Sequence, residues 1–474
     1  MKSGDLQNGY VKRGQRFFLL SFAVLILTGT LLLKIPGMYR PGPLSWLDAL
    51  FTATSSVCVT GLTVKPISDF RFVGQLVVLL LIQVGGLGIM TLSASILLAL
   101  GRGLSFSDSL MISNLNDKFS LRGTESLLRT VMIYTFSAEA AGFVAILPGV
   151  LMSKGISPLE GIWGSLFLSV SSFCNAGLTT FPDSLVGIHR AAQLPAALLA
   201  IIGGLGVYVI YDLLQAASCK SQRLRENSNA FLAIIGRLGV YVINDRLRVA
   251  RRESHRLRVH SKLVLWTTGS LLVFGTAALW YFGWANDRPL ELFDAFCFTV
   301  TSRTCGWITA PMEKLSYTSG TFIVVLMLIG GSPGGTAGGI KTSTVALALA
   351  GIIGTLRGDT ETLVFKRRVP TVTVMRALTI IILFVLISSI GAMALQMTEP
   401  KQDVSFTAFE AVSALTTTGL SMGDTTAQLS DKGKLLLVLF MFLGRVGPFT
   451  ALLFLMGREK PGQLKYPEER VIIG

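Results

Sequence analysis

Four times along this chain a glycine follows a phenylalanine by ten residues: Phe51/Gly61, Phe167/Gly177, Phe296/Gly306 and Phe409/Gly419. The segments read FTATSSVCVTGL, FLSVSSFCNAGL, FCFTVTSRTCGW and FEAVSALTTTGL, and each lies between two long hydrophobic stretches. One unit therefore occurs in four divergent copies. A span, a short re-entrant helix, a backbone-lined loop and a second span make one quarter of an ion pore. Four covalently linked copies can close a ring around one axis. The expected fold is an all-α integral membrane protein with four pseudo-symmetric helix–pore helix–helix repeats around one central pore. The repeats run 17–100, 130–215, 263–356 and 376–456. Residues 1–16, 216–262 and 457–474 remain as N-terminal segment, basic insertion and tail.

Composition agrees with a membrane solvent. Of 474 residues, 51% are apolar and 15% charged, with a mean hydropathy of +0.61; a soluble globule carries about 25% charged residues. Largely apolar stretches recur near 17–33, 73–100, 130–151, 192–215, 263–283, 320–356, 376–396 and 434–456. Each is long enough to cross a hydrocarbon core of ~30 Å. Lys12, Arg13 and Arg16 ahead of the first stretch resemble a secretory signal, but Lys34-Ile35-Pro36 closes it without a small-residue cleavage site. A retained first span is expected.

Net charge is +15, and its distribution matters more than its sum. With a cytoplasmic N-terminus and eight alternating spans, 28 of the 42 Lys/Arg fall on one side. That is the positive-inside pattern, with both termini in the cytoplasm and all four glycine loops outside. No basic folded surface with reading elements points to nucleic acid. The five cysteines have neither metal-ligand nor redox spacing and read as small filler.

The segments ahead of the glycines span about a dozen residues, too short to cross. Helix-start chemistry opens three of them: Pro43-Leu44-Ser45, Ser157-Pro158 and Asp403-Val404-Ser405. Short helices entering from outside would aim their negative ends at the membrane centre and favour a cation there. Non-helical backbone at that depth is tolerated along a water-filled cavity. The alternative, four kinked hairpins packed without a pathway, leaves the equal spacing unexplained. Aligned on their glycines the loops read Val59-Thr60-Gly61, Asn175-Ala176-Gly177, Thr304-Cys305-Gly306 and Thr417-Thr418-Gly419. They offer no ring of carboxylates, so main-chain oxygens are the expected ligands. Carbonyl rings replace the hydration shell of a large monovalent cation, whereas divalent ions call for carboxylates. Potassium leads and sodium follows.

Two irregularities break the pattern. LAIIGGLGVYVIYDLL at 199–214 recurs as LAIIGRLGVYVINDRL at 232–247, with 13 of 16 positions identical. Two spanning copies would invert every later segment, so the first should span and the second lie on the cytoplasmic side. The surrounding basic insertion offers anionic lipid or a partner a contact; a duplication without a role is the other reading. The sixth span is interrupted by GGSPGGTAGG at 330–339. Glycine costs ~1 and proline ~3 kcal/mol against alanine in a helix, so this stretch should unwind beneath the third loop. Gly330, Gly331, Ser332, Gly334, Gly335, Thr336, Gly338, Gly339 and Lys341 are candidate gate residues, with Lys341 alternatively a snorkelling cap. Arg445 stands inside the last span, where a cation must face a cavity or a partner. At ~8 Å and an effective dielectric of ~20 it would repel a monovalent cation by about 2 kcal/mol. Its other reading is a salt bridge to Glu139 or Glu410, which themselves read as buttresses of the pore helices.

The loops VTGL, NAGL, RTCG and TTGL, the break ending Gly339–Lys341, GRVGP at Gly444–Pro448 and the tail KYPEERVIIG resemble the Ktr/Trk/HKT superfamily of potassium translocators. The likeness covers nearly the whole chain, and the short segment before the first span favours the Ktr branch. It implies potassium uptake at a cell membrane, sodium as an activator, homodimers, and a cytoplasmic ring of nucleotide-binding regulatory subunits. Glycine in all four loops matches potassium-selective members; sodium-selective plant relatives carry serine in the first. It also assigns Arg445 to the gate. Cys305 and the 33-residue insertion depart from the family pattern. An enzyme reading is weaker. GGTAGGIKTS approaches the phosphate loop GxxxxGK[ST], but Ile340 separates Gly339 from Lys341 and no strand precedes it. No cofactor and no catalytic set is expected.

Overall fold

A computed structural model describes residues 20–88, 124–206, 209–210, 212–213, 257–359, 361–423 and 425–447. The N-terminal segment 1–16, the second copy of the duplication, nearly all of the insertion 216–262 and the tail 457–474 lie outside the described residues, as do 89–100 of the first repeat.

The first repeat contributes α1 (Leu20–Lys34), α2 (Trp46–Val57) and α3 (Phe72–Leu87). The second contributes α4 (Thr124–Leu151), α5 (Pro158–Cys174) and α6 (Arg190–Leu205). The third is α7 (Val259–Ala285), α8 (Leu292–Thr301), α9 (Tyr317–Leu328) and α10 (Thr342–Leu356). A two-stranded hairpin, β1 (Thr362–Val364) with β2 (Arg367–Val369), leads into the fourth: α11 (Thr371–Thr398), α12 (Val404–Leu415) and α13 (Asp431–Val446). The all-α, four-repeat membrane architecture expected from the sequence is the one observed.

Local chemistry starts the short helices where the sequence places their caps. Ser45 accepts from the Asp48 N–H at 3.0 Å, Ser157 and Glu160 form a reciprocal capping box, and Asp403 accepts from the Ser405 N–H at 2.9 Å. The bonds from Ser405 hold the Asp403 carboxyl below the usual carboxylate range. The third short helix starts at Glu291 without a side-chain cap.

Outer helices clasp the short helices of their own repeats: α4 on α5, α7 on α8 and α11 on α12. Across repeats, α3 packs on α5, α6 on α8, α9 on α12 and α13 on α2. The second helix of each repeat thus meets the short helix of the next, and the fourth meets the first. Equal contacts in one rotational sense can only end by closing. The short helices lie in the interior, with Phe51, Phe167, Phe298 and Phe409 no more than 1% exposed. Lipid takes the outside: Trp266, Phe274, Trp284, Ile382 and Met393 on the outer helices are more than 60% exposed.

The second helices differ from expectation. Only the sixth apolar stretch reads as broken in the sequence, yet α3, α6 and α13 end at Gly88, Gly206 and Gly447, with φ of +75°, +79° and +88°. Helical residues resume at 209–210 after the Gly206 break, inside the first copy of the duplicated segment. Among the described residues, then, three second helices end at a single positive-φ glycine, and helix is seen to resume after the break in the second and third repeats.

Candidate ion pathway

Each glycine loop has the same backbone sign pattern. Two residues before the glycine φ is positive: +55° at Val59, +59° at Asn175, +76° at Thr304 and +52° at Thr417. The glycines themselves have φ of +98°, +69°, +80° and +86°. The residues between them, Thr60, Ala176, Cys305 and Thr418, are not among the positive-φ residues. Alternation of hand turns successive carbonyls toward the same side. Positive φ at a β-branched residue is strained, on the order of 1–3 kcal/mol. Val59, Thr304 and Thr417 bear it at equivalent positions.

The N–H groups are turned back toward the short helices, which leaves the carbonyls free. Thr60, Ala176 and Thr418 donate to the carbonyls of Ser55, Ser171 and Ser413 at 2.8, 2.7 and 2.8 Å. Gly61 and Gly419 donate to the hydroxyls of Ser55 and Ser413, each at 3.1 Å. The third loop has Val300 at the serine's position, and the N–H groups of Cys305 and Gly306 both reach the Thr301 carbonyl instead.

The four glycines meet one another in order. A Cβ placed on Gly61 would lie 2.6 Å from the Ala176 oxygen, and one on Gly177 2.1 Å from the Cys305 oxygen. One on Gly306 would lie 2.5 Å from the Thr418 oxygen, and one on Gly419 2.1 Å from the Thr60 oxygen. Each glycine thus abuts the carbonyl before the next glycine, and the fourth returns to the first. A side chain at any of these points would force the neighbouring main chain to shift. Of the twelve loop residues expected from the sequence, the four glycines and the residues just before them, Thr60, Ala176, Cys305 and Thr418, are brought together as one closed ring of main chain, and the four positive-φ residues lead into it.

Beneath the ring a further set of glycines lets the second helices approach. Gly85, Gly203 and Gly444 would place a Cβ 2.0, 1.9 and 1.9 Å from the carbonyls of Val57, Phe173 and Leu415, at the ends of the short helices. One residue later stand Gly86, Gly204 and Arg445. Arg445 thus occupies a glycine position of its repeat. Its guanidinium donates to the carbonyls of Thr336 and Gly85, both at 2.6 Å. It binds main chain, not the carboxylates of Glu139 or Glu410. Glu139 accepts from Gln83 at 2.9 Å and Glu410 from Thr426 at 2.9 Å.

The Gly-rich break is a compact loop with a fixed neck. Gly330 N–H donates to Ile340 O, Ile340 N–H to Leu328 O and Thr342 N–H to Gly331 O, each at 3.0 Å. Arg303, nine-tenths buried just ahead of the third glycine loop, holds the neck by donating to the Gly330 carbonyl at 3.0 Å. The tip reaches other repeats. Ser332 and Thr336 N–H groups donate to the carbonyls of Gly204 and Gly203 on α6, at 2.8 and 3.2 Å. A Cβ on Gly335 would sit 2.8 Å from the Gly204 oxygen, and one on Gly338 2.0 Å from the Thr417 hydroxyl. Gly334 and Gly339 take φ of +80° and +63°. Lys341 precedes α10 and donates to the Ala337 carbonyl at 2.6 Å, bracing the loop internally. The break therefore lies directly under the ring, between the second and fourth repeats.

A family of cation transport proteins, described by the TrkH model, matches residues 17–239 and 290–460. This chain belongs to the TrkH cation transport family. It is 30% identical over 467 residues to the Ktr system potassium uptake protein B of Bacillus subtilis, covering 96% of this chain and 95% of that one. It is 32% identical over 469 residues to the potassium/sodium uptake protein NtpJ of Enterococcus hirae, with 96% and 95% covered. A protein named Ktr system potassium uptake protein B from Vibrio alginolyticus is also 32% identical, with 97% and 94% covered. Among solved structures, the potassium transporter TrkH of Vibrio parahaemolyticus superposes with a TM-score of 0.67 at 18% identity, covering 94% of this chain and 85% of that one. As a TrkH-family member the chain is a multi-pass membrane transport protein, not an enzyme. The near-match to a phosphate loop lies in the break between α9 and α10, preceded by helix and not by a strand.

Two features of this TrkH-type pathway escape a reading by sequence. Arg303 is not among the candidate residues the sequence singles out, although its place three residues before a loop glycine is a signal of burial. The glycines of the second helices also pass as ordinary apolar helix. Their shared spacing in VGGLG (84–88), IGGLG (202–206) and LGRVG (443–447) marks them once the repeats are aligned.

Proposed function

We propose that this protein is the pore subunit of a potassium uptake system of the cell membrane, passing the ion down its electrochemical gradient. Residues Val59–Gly61, Asn175–Gly177, Thr304–Gly306 and Thr417–Gly419 form the filter. The observation that carries this reading is the closed ring of backbone contacts among the four glycines. Its carbonyls take the place of lost hydration water around potassium, and the absence of carboxylates in the loops disfavours divalent ions. The negative ends of four short helices converge on the same place. The hydroxyls of Thr60, Thr304 and Thr417 are buried without a protein partner, as suits atoms beside a hydrated path. An inside-negative potential of ~100 mV supplies ~2.3 kcal/mol per charge, enough for accumulation without local ATP hydrolysis.

The loop 330–341 and Arg445 form the gate. The loop lies across the axis below the filter, and the guanidinium adds a positive charge there. Orientation follows the basic residues: filter outside, both termini in the cytoplasm. The relatives' name of Ktr system, together with the family resemblance, supports a homodimer on a cytoplasmic nucleotide-binding partner, with sodium as activator. A sodium-permeable pathway is the second reading, favoured by the potassium/sodium name of the Enterococcus relative.

Expression in a cell deficient in potassium uptake, with a cognate partner, should restore growth at low potassium. Gly61→Ser should shift the permeant ion toward sodium, and Arg445→Ala should raise the uptake rate several-fold. No rescue at any expression level would remove the uptake assignment, and an unaltered rate in Arg445→Ala would remove the gate.

A further inference from the structure

Thr336 has an unusual place in the Gly-rich loop. Like Ser332 earlier in the loop it has every polar group engaged, but its partners lie on more elements. Its N–H donates to the Gly203 carbonyl at 3.2 Å, and its own carbonyl accepts from Arg445 at 2.6 Å. Its hydroxyl donates to the Phe173 carbonyl at 3.0 Å and accepts from the Asn175 side-chain amide at 2.8 Å. Four hydrogen bonds thus converge on one residue from α5, α6, α13 and the second glycine loop. The side chain is 9% exposed, so these groups have little access to replacement by water.

One of the four bonds ends in the filter and a second in the last turn of the short helix that carries it. Asn175 is the positive-φ residue of the second loop, and Phe173 lies two residues earlier, where Gly203 packs. The loop's neck is held separately, by the bonds around Ile340 and by Arg303. Neck and tip are therefore fastened to different things: the neck to the third repeat, the tip to the second and fourth. If the tip swings out while the neck holds, Thr336 leaves, and Asn175 and the Phe173 carbonyl lose their partner together. The filter then differs between the closed and open states of the loop.

Resting on the gate reading above, we propose that the Thr336 hydroxyl couples filter to gate through Asn175, so that ion occupancy of the filter and closure of the loop bias one another. Thr336 acts as a positioning residue, since it touches the loop that touches the ion. Coupling of this kind is reciprocal by necessity. A ligand shifts a conformational equilibrium only by its differential affinity for the two states, and the Asn175 contact supplies that difference.

The test is a series at one position, assayed as initial potassium and sodium uptake by the full chain with its partner in proteoliposomes. Thr336→Val keeps the shape and removes the hydroxyl; Thr336→Ser keeps the hydroxyl; Arg445→Ala is the comparator. The proposal expects Thr336→Val to raise maximal uptake and also to change the half-saturating potassium concentration by about two- to tenfold, the factor set by the net contribution of one hydrogen bond. Thr336→Ser should restore both values. If Thr336→Val raises maximal uptake while half-saturation and potassium-to-sodium preference stay at wild-type values, the coupling is wrong and the gate stands. If neither Thr336→Val nor Arg445→Ala alters maximal uptake, gate and coupling fall together. Should the valine variant not assemble, Thr336→Ala removes the same hydroxyl with less bulk and is read by the same criteria.

Discussion

The third repeat and the other three reach the same ring by different means. In repeats one, two and four a serine six residues before the glycine receives the loop's N–H group, at 2.7–2.8 Å through its carbonyl. In the third, Val300 stands there, the short helix is uncapped at its start, and Arg303 extends below to the neck of the broken helix. The second helix differs as well: a single positive-φ glycine ends α3, α6 and α13, whereas a whole loop separates α9 from α10. The comparison teaches that symmetry and asymmetry occupy different atoms. Symmetry belongs to main chain and glycines, common to all four copies. Asymmetry is concentrated in the third repeat and in the arginine that stands where two other repeats have glycine.

The largest effect should come from attacking the symmetric part. Gly177→Ala and Gly419→Ala each put a Cβ about 2.1 Å from a neighbouring carbonyl oxygen, at a φ that alanine resists. Both should abolish potassium uptake while leaving protein in the membrane. Gly306→Ala and Gly61→Ala, at 2.5 and 2.6 Å, should retain more. Isotope uptake at matched expression checks the order, and equal activity in all four would dissolve the ring.

An intermediate effect separates the two designs of loop. Ser55→Ala and Ser413→Ala leave the N–H groups of Gly61 and Gly419 without their acceptors, a loss of about 1–3 kcal/mol in a buried site. Selectivity for potassium over sodium should drop in both. Thr301→Val removes a hydroxyl but not the main-chain acceptor that the third loop uses, so selectivity should hold. Competition between the two cations in flux assays decides it.

The smallest effect concerns the helix starts. Ser157→Ala breaks a capping box and should lower thermal stability in detergent by about 0.5–2 kcal/mol. Glu291→Ala, at a start with no side-chain cap bond, should cost the α8 start nothing; its surface pair with Arg190 is exposed and worth little. A melting shift as large in Glu291→Ala as in Ser157→Ala would show that the two repeats do not differ there.

The repeated unit, the membrane setting, the cap residues Ser45, Ser157 and Asp403, and the twelve loop positions were legible in the residues alone. All depend on near neighbours or on a pattern that recurs, and glycine and serine announce local backbone geometry. What packing alone decided is the sense in which the loops interlock, the ends of α3, α6 and α13 at Gly88, Gly206 and Gly447, and the partners of Arg303, Arg445 and Thr336. Those contacts join atoms far apart in the chain, 161 residues for Asn175 with Thr336 and 109 for Arg445 with Thr336. A lone glycine in an apolar run is ambiguous until a neighbour's carbonyl lies against it. A buried cation has no evident partner until the fold delivers a carbonyl to it.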